Sequence, residues 1–397
     1  MQLAFQILFW ICVGLMLHSY VLFPPLIAML ARGRKFGYLA YSDSDDLPMV
    51  FILFAVYNGE TVLQKKLESM LISGYPSHKI KILVGSDASS DGTDLIVKDF
   101  SEKDARVSLH VYSRRGKANV LNELVKEVQQ KESAKDNLIL FSDVHAIFDE
   151  QTIFELVKYF KDPTVGIVGA AYVNTNQIES GISQQEKAYI QRENDIKYHE
   201  SLCFGAMMGV YGACYTIPVA DVPAFPNNIL MEDFYITMWQ LTKGKHSILN
   251  PEAKFYLNNP NSIEIEYRRK KRISAGNFQN LAHFMRLLLP GRSGVAFCFW
   301  SHKVLRWLGP FIMAAAFLCL IALQILGSGP YFWLAVAGES ILALALLDIL
   351  LQKININITL LRYANYFLQM NIALLDGFVW YIKGIKSNVW SPTKRNI

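Results

Sequence analysis

The chain has 397 residues, 52% of them hydrophobic, which is long for one ordinary domain and too apolar for a wholly soluble enzyme, so part of it lies in lipid. A net charge of +5 is mild, and the basic clusters flank apolar segments without the aromatic-basic interleaving of a nucleic-acid module. That points to anionic lipid and argues against nucleic acid as a partner, while five cysteines (Cys12, Cys203, Cys214, Cys298 and Cys319) without Cys-x-x-Cys spacing exclude a disulfide framework or a zinc knuckle.

Residues 1–30 carry no Lys, Arg, Asp or Glu, and the apolar stretch exceeds the roughly 20 residues needed to cross a bilayer. The expectation is an N-terminal transmembrane helix over 1–31, bent at Pro24 and Pro25. Its length and the lack of a basic start favour an uncleaved anchor over a signal peptide. Arg32, Arg34 and Lys35 then hold the following domain on the cytoplasmic side of the plasma membrane by the positive-inside rule.

From 47 to 281 charges are frequent, and short apolar runs alternate with polar helices, as in a water-soluble α/β core. The spacing predicts strands over 49–57, 80–85, 107–112 and 138–141, with helices over 60–73, 93–100 and 117–130. Alternation at these lengths implies a doubly wound, largely parallel sheet, which binds ligands beyond the carboxyl ends of its strands. Two acids sit at such ends: Asp87 in GSDASSDGTD and Asp143 in LILFSDVHAIFD, the latter followed two residues on by His145. Between them RRGKANVLN carries Arg114, Arg115 and Lys117 around a glycine into a helix. A third acidic station, Glu232-Asp233 in NILMEDFY, follows the small-residue segment GVYGA, which holds Gly209 and Gly212.

An interfacial segment is expected over 282–306, then membrane helices within 307–382 and a basic tail over 383–397. Apolar stretches at 308–326 and 331–351 form a hairpin around Gly327-Ser328-Gly329-Pro330. The third, 356–382, contains Arg362, Asn365, Gln369, Asn371 and Asp376, and spanning there would put the basic tail outside, against the charge rule. An interfacial helix on the cytoplasmic face removes the conflict, and so does a re-entrant segment near 287–300. Glu339 and Asp348 lie in the second stretch: Glu339, nearer its middle, is a candidate to line a passage for a growing glycan, and Asp348 is expected to reach the interface, with helix–helix hydrogen bonding the plainer alternative for both.

Taken in order, FILFAVYNGE, YPSHKIKILVGSDASSDGTD, RRGKANVLN, FSDVHAIFD and MEDF resemble the family 2 glycosyltransferases of the GT-A fold over about 48–279. The flanking apolar helices resemble the polysaccharide-making branch. The resemblance implies an α/β fold class, a Rossmann-like GT-A domain flanked by transmembrane helices. It implies a membrane-bound inverting transferase moving a sugar from a nucleotide-sugar donor, a UDP-sugar, to a lipid-linked or growing polysaccharide acceptor. In that reading Asp87 accepts the uracil N–H, and Asn58, Lys117, Gly209, Gly212 and Arg272 complete the donor site. Asp143 and His145 hold a divalent cation, Mn2+ or Mg2+, and Asp233 is the general base with Glu232 beside it. His145 departs from the family's second acid, and imidazole suits Mn2+ better than Mg2+. Around Arg272, Arg269 and Ile273 replace the Gln and Trp of the processive members' Gln-x-x-Arg-Trp, which counts against a processive synthase that extrudes its product. Retention of all three acidic stations counts against a degenerate nucleotide-sugar-binding scaffold. The plainer structural alternatives are an Asx turn at Asp87, a solvated basic loop at Arg114 to Lys117, a loop histidine at His145, a helix cap at Asp233 and a turn at GVYGA.

Overall fold

The computed structural model describes residues 1–42, 44–131, 136–175, 182–258, 263–327, 329–352, 354 and 358–387. The chain divides into two compact units, one formed by Met1–Leu26, Ser262–His283 and Phe299–Gly384, the other by Ile27–Asn261, Phe284–Cys298 and Ile385–Ile397. Residues 263–281, counted within 47–281 from sequence, group with the apolar helices.

The second unit is built on an eight-stranded sheet: β1 Val50–Val56, β2 Ile80–Asp87, β3 Val107–Tyr112, β4 Leu138–Ser142, β5 Ile147–Phe148, β6 Val165–Asn174, β7 Cys214–Pro218 and β8 His246–Leu257. The strand order is β3-β2-β1-β4-β7-β6-β8-β5. Every residue of β1 (VFILFAV) is buried, because a central parallel strand is covered on both faces and tolerates no polar alternation. β3, β2, β1 and β4 are mutually parallel. β7 runs antiparallel between β4 and β6, and β5 runs antiparallel along β8. The reversal at β7 has a positional consequence: Cys214, its first residue, pairs with Ser142, the last of β4. The GVYGA segment that leads into β7 therefore arrives at the strand end that delivers Asp143. Helices Glu60–Leu71, Thr93–Lys103 and Lys117–Lys131 are the crossovers of the parallel half.

Of the apolar helices, Gln2–Ala31 is long and apolar enough to cross a membrane, as is Gly329–Leu351. Ser293–Trp307 and Gly309–Ile325 qualify only as a pair, bent by 63°. The first helix widens to a π turn at His18–Leu22, where the Phe23 N–H reaches back to the His18 carbonyl. Pro24 and Pro25 follow directly; their missing N–H groups interrupt the regular ladder there. Asp348, expected from sequence to reach the interface, is instead fully buried and accepts a 2.7 Å hydrogen bond from Asn365 Nδ2, the plainer helix–helix alternative. Helix Thr359–Ile382 lays its polar side on helix Ile263–Phe284, with Tyr267 Oη donating to Asp376 at 2.7 Å and Ser274 Oγ to the Leu374 carbonyl at 2.7 Å. Ser328 of the hairpin turn and residues 388–397 of the basic tail lie outside the described residues.

Candidate functional site

The loops that follow β1, β2, β3 and β4 all leave the carboxyl edge of the parallel strands, the edge where this kind of sheet binds ligands. Asn58, after β1, has φ 51°, and its side-chain oxygen accepts from the Ser90 N–H at 2.8 Å while its own N–H meets Ser89 Oγ at 3.1 Å. It ties the β1 loop to the β2 loop. Asp91, in the same turn, accepts from the Thr93 and Glu60 N–H groups at 3.1 and 3.2 Å and caps two helix starts.

Asp87 ends β2 and is 1% exposed. Its carboxylate accepts from the Arg115 N–H at 2.7 Å, the Gly116 N–H at 3.0 Å and the Arg114 guanidinium. Arg114 also lies 3.5 Å from the centroid of the Tyr57 ring. Asp87 therefore organises the basic loop instead of closing an Asx turn, and three donors leave about one of a carboxylate's roughly four lone-pair positions for a ligand.

That loop delivers Lys117 as the first residue of its helix, a position at which the helix dipole disfavours a cation. Two acids compensate. Lys117 Nζ sits 2.7 Å from Asp143 Oδ1 and 2.6 Å from Glu232 Oε1, with only 18% of its side chain exposed. Burial acts to lower its pKa, but the Asp143 and Glu232 carboxylates outweigh it and hold the ammonium well above the usual lysine range.

Asp233 follows Glu232 in the first turn of helix Glu232–Thr242. Burial and the neighbouring Glu232 charge push its pKa up to about 6, against the opposing pull of Lys117. Its Oδ1 accepts the Phe234 N–H at 2.8 Å, and Gly212 presses so close that an added Cβ would lie 2.8 Å from Oδ2. Gly209 has φ +88°, and a Cβ there would meet Phe234 at 2.6 Å. The Val210 N–H donates to Thr237 Oγ1 at 3.1 Å, and that hydroxyl donates to the Asp233 carbonyl at 2.8 Å, so the glycine segment is fastened to the helix bearing the acid pair.

Asp143 and His145 lie two residues apart on the loop after β4, both half-buried. Among the described residues no three His, Cys, Asp or Glu side chains group into a closed metal site. One carboxylate and one imidazole suit a cation that fills its other positions with substrate oxygens and water. Sequence reasoning missed Lys66, which is fully buried beneath this loop and donates to Ser142 Oγ at 2.8 Å and to the Ala146 carbonyl. Burial pushes its pKa down to about 7, with Cys214 and Asp143 pulling the other way. Asp143, Glu232, Asp233 and Lys117 are thus one cluster, joined to Asp87 through the Arg114 to Lys117 loop. Arg272 belongs to the other unit, on helix Ile263–Phe284.

Comparison with known proteins gives a consistent picture. The model of "Glycosyl transferase family 2" matches residues 51–213, and that of "Glycosyl transferase family group 2" matches 138–350, more than half of the chain. A poly-beta-1,6-N-acetyl-D-glucosamine synthase of Staphylococcus epidermidis is 26% identical over 283 residues, 70% of this chain and 64% of that protein. The Staphylococcus aureus protein of the same name is 24% identical over 243 residues, 60% of this chain and 56% of the relative. The chain spans less than two thirds of the curated relatives it matches. Among solved structures, the mannosyltransferase PcManGT of Pyrobaculum calidifontis, in complex with GDP-Man and Mn2+, aligns with a TM-score of 0.66 at 20% identity, covering 94% of this chain and 99% of that one.

Proposed function

Because this chain belongs to glycosyl transferase family 2 and has the GT-A-like α/β fold, we propose that it is a membrane-bound inverting glycosyltransferase with Asp233 as general base. The donor is a nucleotide-sugar, in our reading a UDP-sugar, and the acceptor a lipid-linked or growing surface polysaccharide, taken up on the cytoplasmic side of the plasma membrane. The observation that carries the reading is the raised carboxylate of Asp233 beside an ion-paired cluster: a base with a pKa of about 6 is ionised at neutral pH yet basic enough to take a hydroxyl proton as that hydroxyl attacks. The acceptor oxygen bonds to the anomeric carbon, the bond from that carbon to the diphosphate oxygen breaks, and the nucleoside diphosphate leaves with the electron pair. Asp87, Asn58, Gly209, Gly212 and Lys117 are the donor-side residues in this reading, and Glu232 orients the acceptor. Arg272 stays a donor-site candidate on the strength of its motif alone. Asp143 and His145 would hold a divalent cation, which supplies neutralisation of the departing diphosphate when bound. The polymer named for the staphylococcal relatives supports a polysaccharide acceptor, and the GDP-Man of the mannosyltransferase makes GDP-sugars the donors to test against UDP-sugars.

The test is a panel of UDP- and GDP-sugars incubated with membranes containing the protein and scored for diphosphate release with and without Mn2+. Release with no donor at any acceptor tried would sink the transferase mechanism assigned to this site. Two outcomes follow from the geometry. kcat/KM should fall about tenfold per pH unit below about pH 6, as Asp233 takes up its proton, and a flat profile down to pH 5 would remove it as base. Gly212→Ala forces a methyl against the Asp233 carboxylate, so turnover should drop about 100-fold in a protein of unchanged circular dichroism.

A further inference from the structure

We propose that Lys66 is a positioning residue whose buried amine pins both shoulders of the Asp143–His145 loop and so presets the cation ligands. The inference rests on the reading of Asp143 and His145 given above. Lys66 lies on the buried face of helix Glu60–Leu71 with Leu63, Leu67 and Met70, a position that an apolar side chain would fill more cheaply. Its amine donates to Ser142 Oγ, one residue before Asp143, and to the carbonyl of Ala146, one residue after His145; it stands 3.8 Å from the centroid of the Phe148 ring. Among the described residues its hydrogen bonds go to a hydroxyl and a carbonyl, with no ion pair to a carboxylate. A buried amine without a counter-ion is costly to place whether it is charged or neutral, so packing alone does not account for it. Ser142 Oγ accepts from Lys66 and donates a hydrogen bond to the Ala213 carbonyl at 2.9 Å, which also accepts from the Asp143 N–H at 3.3 Å. Ala213 follows Gly212, the residue pressed against Asp233. One buried amine thereby fixes the loop of Asp143 and His145 and, through Ser142, the strand that backs the base.

The experiment titrates Mn2+ into full-length protein in detergent, without nucleotide, and reads bound Mn2+ by EPR in the wild type, Asp143→Ala, Lys66→Met and Ser142→Ala. Wild type should bind one ion that Asp143→Ala abolishes; if it does not, the cation reading fails and this inference with it. Given that control, Lys66→Met should weaken Mn2+ binding by about tenfold or more, and Ser142→Ala should shift it the same way by less. Unchanged Mn2+ affinity in a folded Lys66→Met protein would overturn the positioning role while leaving the cation site intact. Should Lys66→Met fail to fold, Ser142→Ala decides, and unchanged affinity there has the same meaning.

Discussion

Asp233→Asn should lower turnover by about 1,000-fold while nucleotide-sugar binding persists, because the amide keeps the shape of the side chain and loses only its capacity to take a proton. The substitution also carries a stability signature that separates a base from a helix cap. A carboxylate whose folded pKa stands at about 6, above the usual range, binds its proton more tightly in the folded state than in the unfolded chain. The stability this contributes is complete below the unfolded carboxylate pKa and is lost as pH rises through about 6, so at neutral pH the ionised Asp233 is a burden on the fold. Asparagine lifts that burden. Asp233→Asn should therefore melt at a higher temperature than wild type at pH 7.5 and show little advantage at pH 4. A stabilising helix cap would give the opposite, a loss of stability on substitution. Diphosphate release, donor titration and thermal melts at the two pH values check all three expectations, and an active Asp233→Asn protein would end the assignment.

The parallel half of the sheet was legible because β1, β2 and β4 are short continuous apolar runs that end in turn-forming or acidic residues. The antiparallel insertion of β7 was not, since strand direction depends on the connection made by helix Ile182–Phe204 and leaves no mark on the composition of CYTIP. Asp143, Glu232 and Asp233 could be found from their positions at element ends. Their union through Lys117 could not, because nothing local says how far an ammonium at a helix start will reach. Asp87 was located correctly, yet its immediate partners proved to be the basic loop itself. Lys66 did leave a signal: Leu63, Lys66, Leu67 and Met70 recur at the three- and four-residue spacing of a buried helical stripe, and a lysine inside such a stripe needs a reason. Arg272 shows the converse limit, a motif match on a helix that belongs to the other compact unit.

Lys117→Met should cut kcat about 100-fold at neutral pH and move the acid limb of the kcat/KM profile to higher pH. The direction follows from charge. Lys117 lowers the pKa of Asp233 while burial and Glu232 raise it, so removing the cation leaves the raising influences unopposed and protonates a larger fraction of the base at pH 7. The same ammonium pairs with both Asp143 and Glu232, at 2.7 and 2.6 Å, and without it the cluster keeps its carboxylates and loses this cation. Breaking a buried pair on one side costs about 3–5 kcal/mol, here an upper bound because a third of the Asp143 side chain is exposed and one acid can take up a proton. Lys117's own pKa is raised on folding, so its pairing stabilises fully below the free lysine pKa and is lost only as pH climbs through the elevated folded value. Lys117's own titration therefore adds no pH dependence to the stability gap between wild type and Lys117→Met from pH 7 to 9, and the gap should widen only as pH rises through the raised Asp233 pKa of the variant. An acid limb that stays put in the variant would mean that Lys117 acts on the donor alone and leaves the base untuned.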